Sequence, residues 1–242
     1  MEPTKGFVLV ASRKPNFYKF ALNLMEAIRD YYEDANICFV TEERFLEERG
    51  KDLADKIVFC DDHYRAKLWG MTQSPYDITM YIDVDMNVEH EDIATVFDEL
   101  KGADIRVAAL TEDRSYAYAE WTFNDPEGRQ QVFKYCGGVF LYDRRNPLVR
   151  EFVNDWWILT RKQMDNEWWP EGYPRSLSGW DQFSLWWLTE KVEKYKDLKI
   201  EIFEDDLRWN YYNAYNMAIT KPENPVVLRH YSSGLDKDGY LI

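Results

Sequence analysis

The sequence is poor in several things at once. Its 242 residues include three cysteines, Cys38, Cys60 and Cys136. An odd number with no metal-binding spacing argues against a disulfide framework or a zinc site, and their apolar, strand-like contexts point to buried thiols in a reducing compartment. No apolar run approaches the roughly twenty residues of a membrane-spanning helix. The opening Met1-Glu2-Pro3-Thr4-Lys5-Gly6 has no basic stretch followed by an apolar one, so a signal peptide is not expected and the cytoplasm is the expected location. Basic charge is also in deficit. Thirty Lys and Arg against 44 Asp and Glu leave a net charge of −14, which disfavours a surface that binds nucleic acid or anionic lipid through phosphates and leaves room for a local basic pocket. No linker and no internal repeat is visible, so residues 1–242 are expected to form a single domain.

What is present is a globular chain, with 45% hydrophobic and 17% aromatic residues, too many for a disordered one. The run Gly6-Phe7-Val8-Leu9-Val10-Ala11-Ser12 reads as a buried strand. Phe17, Phe20, Ala21, Leu24, Ile28 and Tyr31 then recur at helical steps. Strand-like runs at 36–40, 56–60 and 78–82 alternate with helical stretches at 42–51 and 64–71, a pattern that predicts a parallel sheet covered on both faces. Beyond residue 86 the order is less regular. A helix is expected at 91–101, a strand at 104–110, a polar loop at 111–131, a strand at 132–142 and a helix from 147 to about 164. A Trp-, Pro- and Gly-rich loop at 165–179, a helix near 180–196, a strand near 199–203 and an irregular tail complete the chain.

Ligands of an open α/β sheet bind at the carboxyl ends of its strands, and one such end carries Asp83-Val84-Asp85. Two carboxylates two residues apart leave one face of a strand and can converge on a divalent cation, for which hard oxygen donors favour Mg²⁺ or Mn²⁺. A second such triplet, Asp236-Lys237-Asp238, lies in a polar tail and lacks that context. His230 follows the apolar segment Pro225-Val226-Val227-Leu228 and could add an imidazole ligand.

Together these residues resemble a known group, the glycosyltransferases of GT-A fold, most closely the family 8 type that includes glycogenin and bacterial galactosyltransferases. The likeness spans almost the whole chain: Val8-Leu9-Val10-Ala11-Ser12 with Asn16-Phe17, Ser74-Pro75-Tyr76-Asp77 leading to Tyr81-Ile82-Asp83-Val84-Asp85, Gly137-Gly138-Val139-Phe140-Leu141, Asp181-Gln182, and a tail with His230, Gly234 and Lys237. The resemblance implies a Rossmann-like, mostly parallel α/β sheet flanked by helices. Residues 1–110 would bind the nucleotide sugar, and 111–242 would form a more irregular acceptor half with a metal-binding tail. It implies that Asp83, Asp85 and His230 bind Mn²⁺ (or Mg²⁺), which carries the diphosphate of a UDP-sugar, and that the sugar passes to a carbohydrate or other hydroxyl acceptor.

By the same resemblance Ala11, Ser12, Asn16 and Phe17 hold uracil and ribose, Lys67 reaches the donor sugar, Gly138 adjoins the donor, and Gly234 and Lys237 meet the diphosphate. Gly234 lies one place further from His230 than in the family pattern, and Cys136 stands where the family often has asparagine. Family 8 enzymes retain the anomeric configuration; Asp181 and Gln182 match the polar site under the sugar ring, with Asp181 as a plain helix cap the alternative. An inverting reaction would need a carboxylate base, for which Asp181, Glu171 and Asp113 are candidates. The absence of a glycine-rich, basic loop after the first strand argues against a nucleotidyltransferase; a non-catalytic carbohydrate-binding relative is the other alternative. Three tryptophan pairs, Trp156-Trp157, Trp168-Trp169 and Trp186-Trp187, divide between core packing and sugar stacking, because adjacent helical residues point about 100° apart.

Overall fold

The computed structural model describes residues 2–110, 122–212 and 222–231. In chain order its first half contains β1 (Lys5–Ala11), α1 (Pro15–Tyr31), β2 (Ile37–Thr41), α2 (Glu48–Leu53), β3 (Lys56–Phe59), α3 (Ala66–Thr72), β4 (Ile78–Ile82), β5 (Met86–Val88) and β6 (Ile105–Ala109). The second contains β7 (Thr122–Asn124), β8 (Gln130–Val132), β9 (Tyr135–Asp143), α4 (Pro147–Met164), α5 (Asp181–Glu190), β10 (Ile200–Ile202), α6 (Asp206–Trp209), β11 (Tyr211–Tyr212) and β12 (Leu228–His230). Seven strands form one sheet in the order β10-β6-β9-β4-β1-β2-β3. Its pairings are parallel except for those of β9, which runs antiparallel to both β4 and β6. A smaller sheet, β11-β12-β5, lies beside it.

The alternation along β1 shows why the sheet is covered on both faces. Phe7, Leu9 and Ala11 join one core with Leu24 and Ile28 of α1, while Val8 and Val10 join a second with Leu68 of α3 and Phe152 and Trp156 of α4. Successive side chains point to opposite faces, so a strand apolar at every position needs a cover on each. Among the described residues no helix is long and apolar enough to cross a membrane.

Several elements differ from the sequence reading. The stretch 91–101 is a 3₁₀ helix, Glu91–Leu100, whose buried Ile93, Val96, Phe97 and Leu100 keep the spacing that suggested an α-helix. The polar loop expected at 111–131 contains the hairpin β7–β8. Its turn is organised by the buried Asp125 carboxylate, which accepts from the amides of Glu127 (3.0 Å) and Arg129 (2.9 Å) and from the Gln131 side chain (3.1 Å). β9 starts at Tyr135 rather than 132, and α5 stops at Glu190, short of the expected 196.

Candidate functional site

The five residues of β4 are all buried, and the strand ends where Asp83 donates its amide to the Gly138 carbonyl of β9 (2.8 Å). The chain turns there, with the Met86 amide on the Asp83 carbonyl (3.2 Å), and continues as β5. Asp83 and Asp85 therefore approach one another across a turn rather than along the face of a strand, as the sequence suggested. β12 pairs antiparallel with β5, His230 opposite Met86, and the Tyr231 amide reaches the Asp85 carbonyl (3.0 Å). A bidentate ion pair between Arg229 and Glu89 (2.5 and 2.7 Å) fastens the strands, with the Tyr231 hydroxyl on the same carboxylate (3.1 Å).

This register puts His230 Nε2 3.3 Å from Asp85 Oδ1. One ligand atom from each of Asp83, Asp85 and His230 lies within 4.8 Å of the others. Ligand bonds of about 2.0–2.6 Å to hard divalent ions allow such a triangle around one ion. The buried Asn210 faces His230 Nδ1 through its Oδ1 at 3.0 Å. A carboxamide oxygen only accepts, so Nδ1 donates to it, which leaves Nε2 facing Asp85 either as the second donor of an imidazolium or as a ligand to a cation between them. The donor set fits a hard divalent cation. Burial alone would raise the Asp85 carboxyl, but His230, followed by Lys67, more than offsets this and holds it below the usual range.

A chain of alternating charges runs from this site into the second half of the molecule. Lys67 Nζ stands 3.2 Å from both Asp83 oxygens and 3.2 Å from Asp181 Oδ2. Arg65 lies 3.6 Å from Asp181 Oδ1 and donates to the Gly179 carbonyl (2.7 Å). Burial works against the Lys67 ammonium, yet Asp181 and then Asp83 outweigh it and raise its pKa. Burial likewise opposes the Asp181 carboxylate, and Lys67 and Arg65 pull its pKa down nonetheless. Asp181 is the first residue of α5 and is 1% exposed; the cap position belongs to Trp180, so the carboxylate serves this ion-pair chain rather than capping the helix. The Tyr81 hydroxyl also donates to Asp83. Gly138 packs closely against the site: a Cβ there would stand 3.0 Å from Asp83 Oδ2 and 3.1 Å from Met86 Cε, and those side chains would have to give by a few tenths of an ångström.

A cavity of about 240 Å³ opens at the carboxyl ends of β1 and β4; His230, Asp181 and Gly138 stand behind its lining. Ser12, Phe17, Lys67, Asp83 and Asp85 line it, with Arg13, Lys14, Tyr64 and Arg65. Ala11 is buried at the end of β1 and Asn16 sits half-buried in the first turn of α1; neither lines the cavity. The Ser12 hydroxyl is committed to the buried Glu42 carboxylate (2.9 Å), which also accepts the Arg13 amide (2.5 Å) and so holds Arg13 at a left-handed φ of 73°. Arg13 and Arg65 flank the exposed Tyr64 ring at 5.2 and 4.7 Å.

Gln182 follows Asp181 on α5 but lines a separate recess with Phe133, Tyr135 and Trp186. Glu171 is exposed. Asp113, Gly234, Lys237 and the Asp236-Lys237-Asp238 triplet lie outside the described residues. Trp156 and Trp186 are buried and their neighbours Trp157 and Trp187 partly exposed, as helical geometry requires. Trp169 stacks on Phe183 at 4.4 Å, with the Arg175 guanidinium 5.6 Å from its ring, which leaves its faces engaged within the protein. The three cysteines form no disulfide. Asn210, Arg65 and Glu89 join the site without any signal in the sequence.

No family model matches the chain, and no curated protein matches it in sequence. Solved structures do. The chain superimposes on galactosyltransferase LgtC, in complex with donor and acceptor sugar analogues, with a TM-score of 0.56 at 14% identity, covering 94% of this chain and 87% of that one. The apo glycosyltransferase GlyE of Streptococcus pneumoniae gives a TM-score of 0.60 at 15% identity, covering 95% of this chain and 55% of that one. Mouse xyloside xylosyltransferase 1 gives 0.53 at 17% identity, covering 95% and 98%. The chain has a GT-A fold. In GT-A terms, β9 is the antiparallel strand inside an otherwise parallel sheet, and its Gly137-Gly138 pair brings it against the Asp83 end of β4. The cavity of this GT-A sheet occupies the position where strand ends place ligands in open α/β folds.

Proposed function

We propose that this chain is a metal-dependent glycosyltransferase of the family 8 type, moving a sugar from a UDP-sugar to a hydroxyl acceptor with retention of configuration. The observation that carries the reading is the convergence of Asp83 and Asp85, from mid-chain, with His230, from the tail, within 4.8 Å of one another. It is supported by the charged pair Lys67 and Asp181 beside them.

Asp83, Asp85 and His230 would hold Mn²⁺ or Mg²⁺, which supplies positive charge to the diphosphate and to the oxygen that leaves with it. Lys67 adds a fixed ammonium for the same leaving group, already held in place by two carboxylates. Phe17 offers its ring to the base, with Ser12 beside it on the cavity wall, while Ala11 and Asn16 are assigned to base and ribose on the resemblance alone. Gly138 keeps the Asp83 side of the site open to the donor, while Gly234 and Lys237 are assigned to the diphosphate on the resemblance alone. Asp181 stays ionised between Lys67 and Arg65; it is 1% exposed and does not line the cavity, so hydrogen bonds to the sugar hydroxyls and opposition to the charge that grows at the anomeric carbon are assigned to it on the resemblance alone. Gln182 would assist through its amide oxygen; because it lines the neighbouring recess, Asp181 takes the larger part.

Thermal unfolding tests the reading. UDP is expected to raise the melting temperature with Mn²⁺ or Mg²⁺ present and not in chelator, and Asp85→Asn is expected to abolish that metal-dependent part. Equal stabilisation by UDP in chelator would overturn the metal bridge. Slow hydrolysis across a panel of UDP-sugars would name the donor; glycan binding without nucleotide and without hydrolysis would point to the carbohydrate-binding alternative.

A further inference from the structure

The α4–α5 interface carries polar groups where packed helices ordinarily bury apolar ones. Trp156, Thr160 and Gln163 are fully buried on α4, and their spacing of four and three residues puts them on one face of the helix. Each reaches the beginning of α5. Trp156 donates its indole N–H to the Asp181 carbonyl (3.0 Å). Ser184 donates to that same carbonyl (2.9 Å), which commits its proton, so Thr160 donates to Ser184 Oγ across 2.5 Å. Gln163 Nε2 points at three carbonyls, those of Trp180 (2.8 Å), Ser178 (3.0 Å) and Leu177 (3.4 Å).

Two features separate this stripe from ordinary packing. The carbonyls of Trp180 and Leu177 already accept backbone amides, from Phe183 (3.1 Å) and Trp180 (3.0 Å). The Gln163 amide therefore uses their second lone pairs and makes bonds beyond those the turn needs to form. Its own Oε1 is buried and has no hydrogen-bond partner among the described residues, a penalty that a methionine of similar volume would avoid. Residues kept at a cost to stability gather where geometry serves function. Here the chain segment held from behind carries Gly179, whose carbonyl takes Arg65, and Asp181, whose carboxylate takes Lys67 and Arg65.

We infer that Gln163, with Thr160 and Trp156, is a positioning residue that fixes the 177–181 turn so that Asp181 meets Lys67 and Arg65. The inference rests on the proposed activity for its kinetic consequence alone. The metal ligands Asp83 and Asp85, in the turn between β4 and β5, and His230 on β12 lie outside the stripe, and Lys67 keeps its contact with Asp83, so binding of UDP and metal depends on the stripe far less than the orientation of Asp181 does.

The test uses the full chain and its Gln163→Met and Thr160→Val variants. Hydrogen exchange followed by mass spectrometry is expected to show faster exchange in 177–184 for both variants, with the rest of the protein unchanged. Hydrolysis of the UDP-sugar turned over fastest by the wild-type protein is expected to fall about 10–100-fold in kcat for Gln163→Met, with KM and the UDP-Mn²⁺ melting shift within about threefold and a degree or two of wild type, since misplacing a reacting group costs rate before affinity. Unchanged exchange in 177–184, or unchanged kcat in folded variants, would overturn the inference. A wild-type protein that hydrolyses no UDP-sugar would count against the proposed activity instead, and the exchange experiment would still decide whether the stripe fixes the turn. Should Gln163→Met fail to fold, Thr160→Val carries both measurements.

Discussion

Replacing Lys67 with methionine removes the ammonium and keeps the apolar stem. In the native protein that ammonium touches both oxygens of Asp83 and one of Asp181, each at 3.2 Å, with side-chain exposures of 17% for Lys67, 21% for Asp83 and 1% for Asp181. Deleting one partner of a buried pair costs about 3–5 kcal/mol, because the other charge stays behind uncompensated. Arg65 remains at 3.6 Å from Asp181 and Asp83 keeps some solvent, so the lower end, about 3 kcal/mol, applies here. For a chain of this size that corresponds to a melting temperature lower by roughly 6–12 °C. The decisive assay is a double-mutant cycle with Asp181→Asn. Once Asp181 is neutral, losing Lys67 is expected to cost less, with a coupling of about 1.5–3 kcal/mol. Donor hydrolysis by Lys67→Met is expected to drop about 10²–10³-fold, the size of effect seen when one preorganised charge is removed. Additivity within about 0.5 kcal/mol would refute the reasoning, since it would mean that the two groups do not interact in solution.

Two further outcomes follow from the same geometry. Asp181 has a folded-state pKa below its unfolded value of about 3.9; its contribution is therefore complete above that value and lost as pH falls through the lower, folded one. Melting temperature measured from pH 7 downward is accordingly expected to fall below about pH 4, and less steeply in Asp181→Asn than in wild type; parallel curves would contradict it. Asn210→Ala removes the acceptor that fixes the His230 ring; titration with Mn²⁺ in the presence of UDP is expected to show affinity weaker by about 10–100-fold, and an unchanged affinity would separate Asn210 from the metal site.

The regular half of the fold was legible because its strands are short apolar runs: β1, β2 and β4 need no tertiary information to be seen in Phe7-Val8-Leu9-Val10, Ile37-Cys38-Phe39-Val40 and Ile78-Thr79-Met80-Tyr81-Ile82. The hairpin β7–β8 was hidden because its residues, apart from Phe123 and Val132, are polar and its turn depends on one buried carboxylate collecting donors. Periodicity marked Glu91–Leu100 as helical and could not tell 3₁₀ from α. In the site, Asp83, Asp85 and His230 were visible through their place after apolar segments. Asn210 and Arg65 were not, because what makes them matter is a partner 20 or 114 residues away. The adjacency of Asp181 and Gln182 in sequence also concealed that a helix turns the two side chains into different recesses.

Charge gives a reason for a divalent cation that does not depend on likeness to other proteins. Asp83 and Asp85 line the cavity together with four cations, Arg13, Lys14, Arg65 and Lys67, of which Lys67 and Arg65 also face the buried Asp181. Arg13 at the rim is already paired with Asp62 at 3.1 Å. A diphosphate entering beside Asp83 and Asp85 would meet those two carboxylates at closest range, within a protein that is itself strongly acidic. Two like charges 4 Å apart repel by about 4 kcal/mol at an effective dielectric constant of 20, so a cation arriving with a diphosphate would strengthen its hold beside the two aspartates. A divalent cation between the aspartates and the diphosphate reverses the sign of that interaction on both sides at once. Lys67 alone cannot, because its charge is already shared between Asp83 and Asp181. If a cation offsets the two aspartates in this way, substituting Asp83 or Asp85 by asparagine should weaken the metal requirement for UDP binding even as it weakens the binding itself.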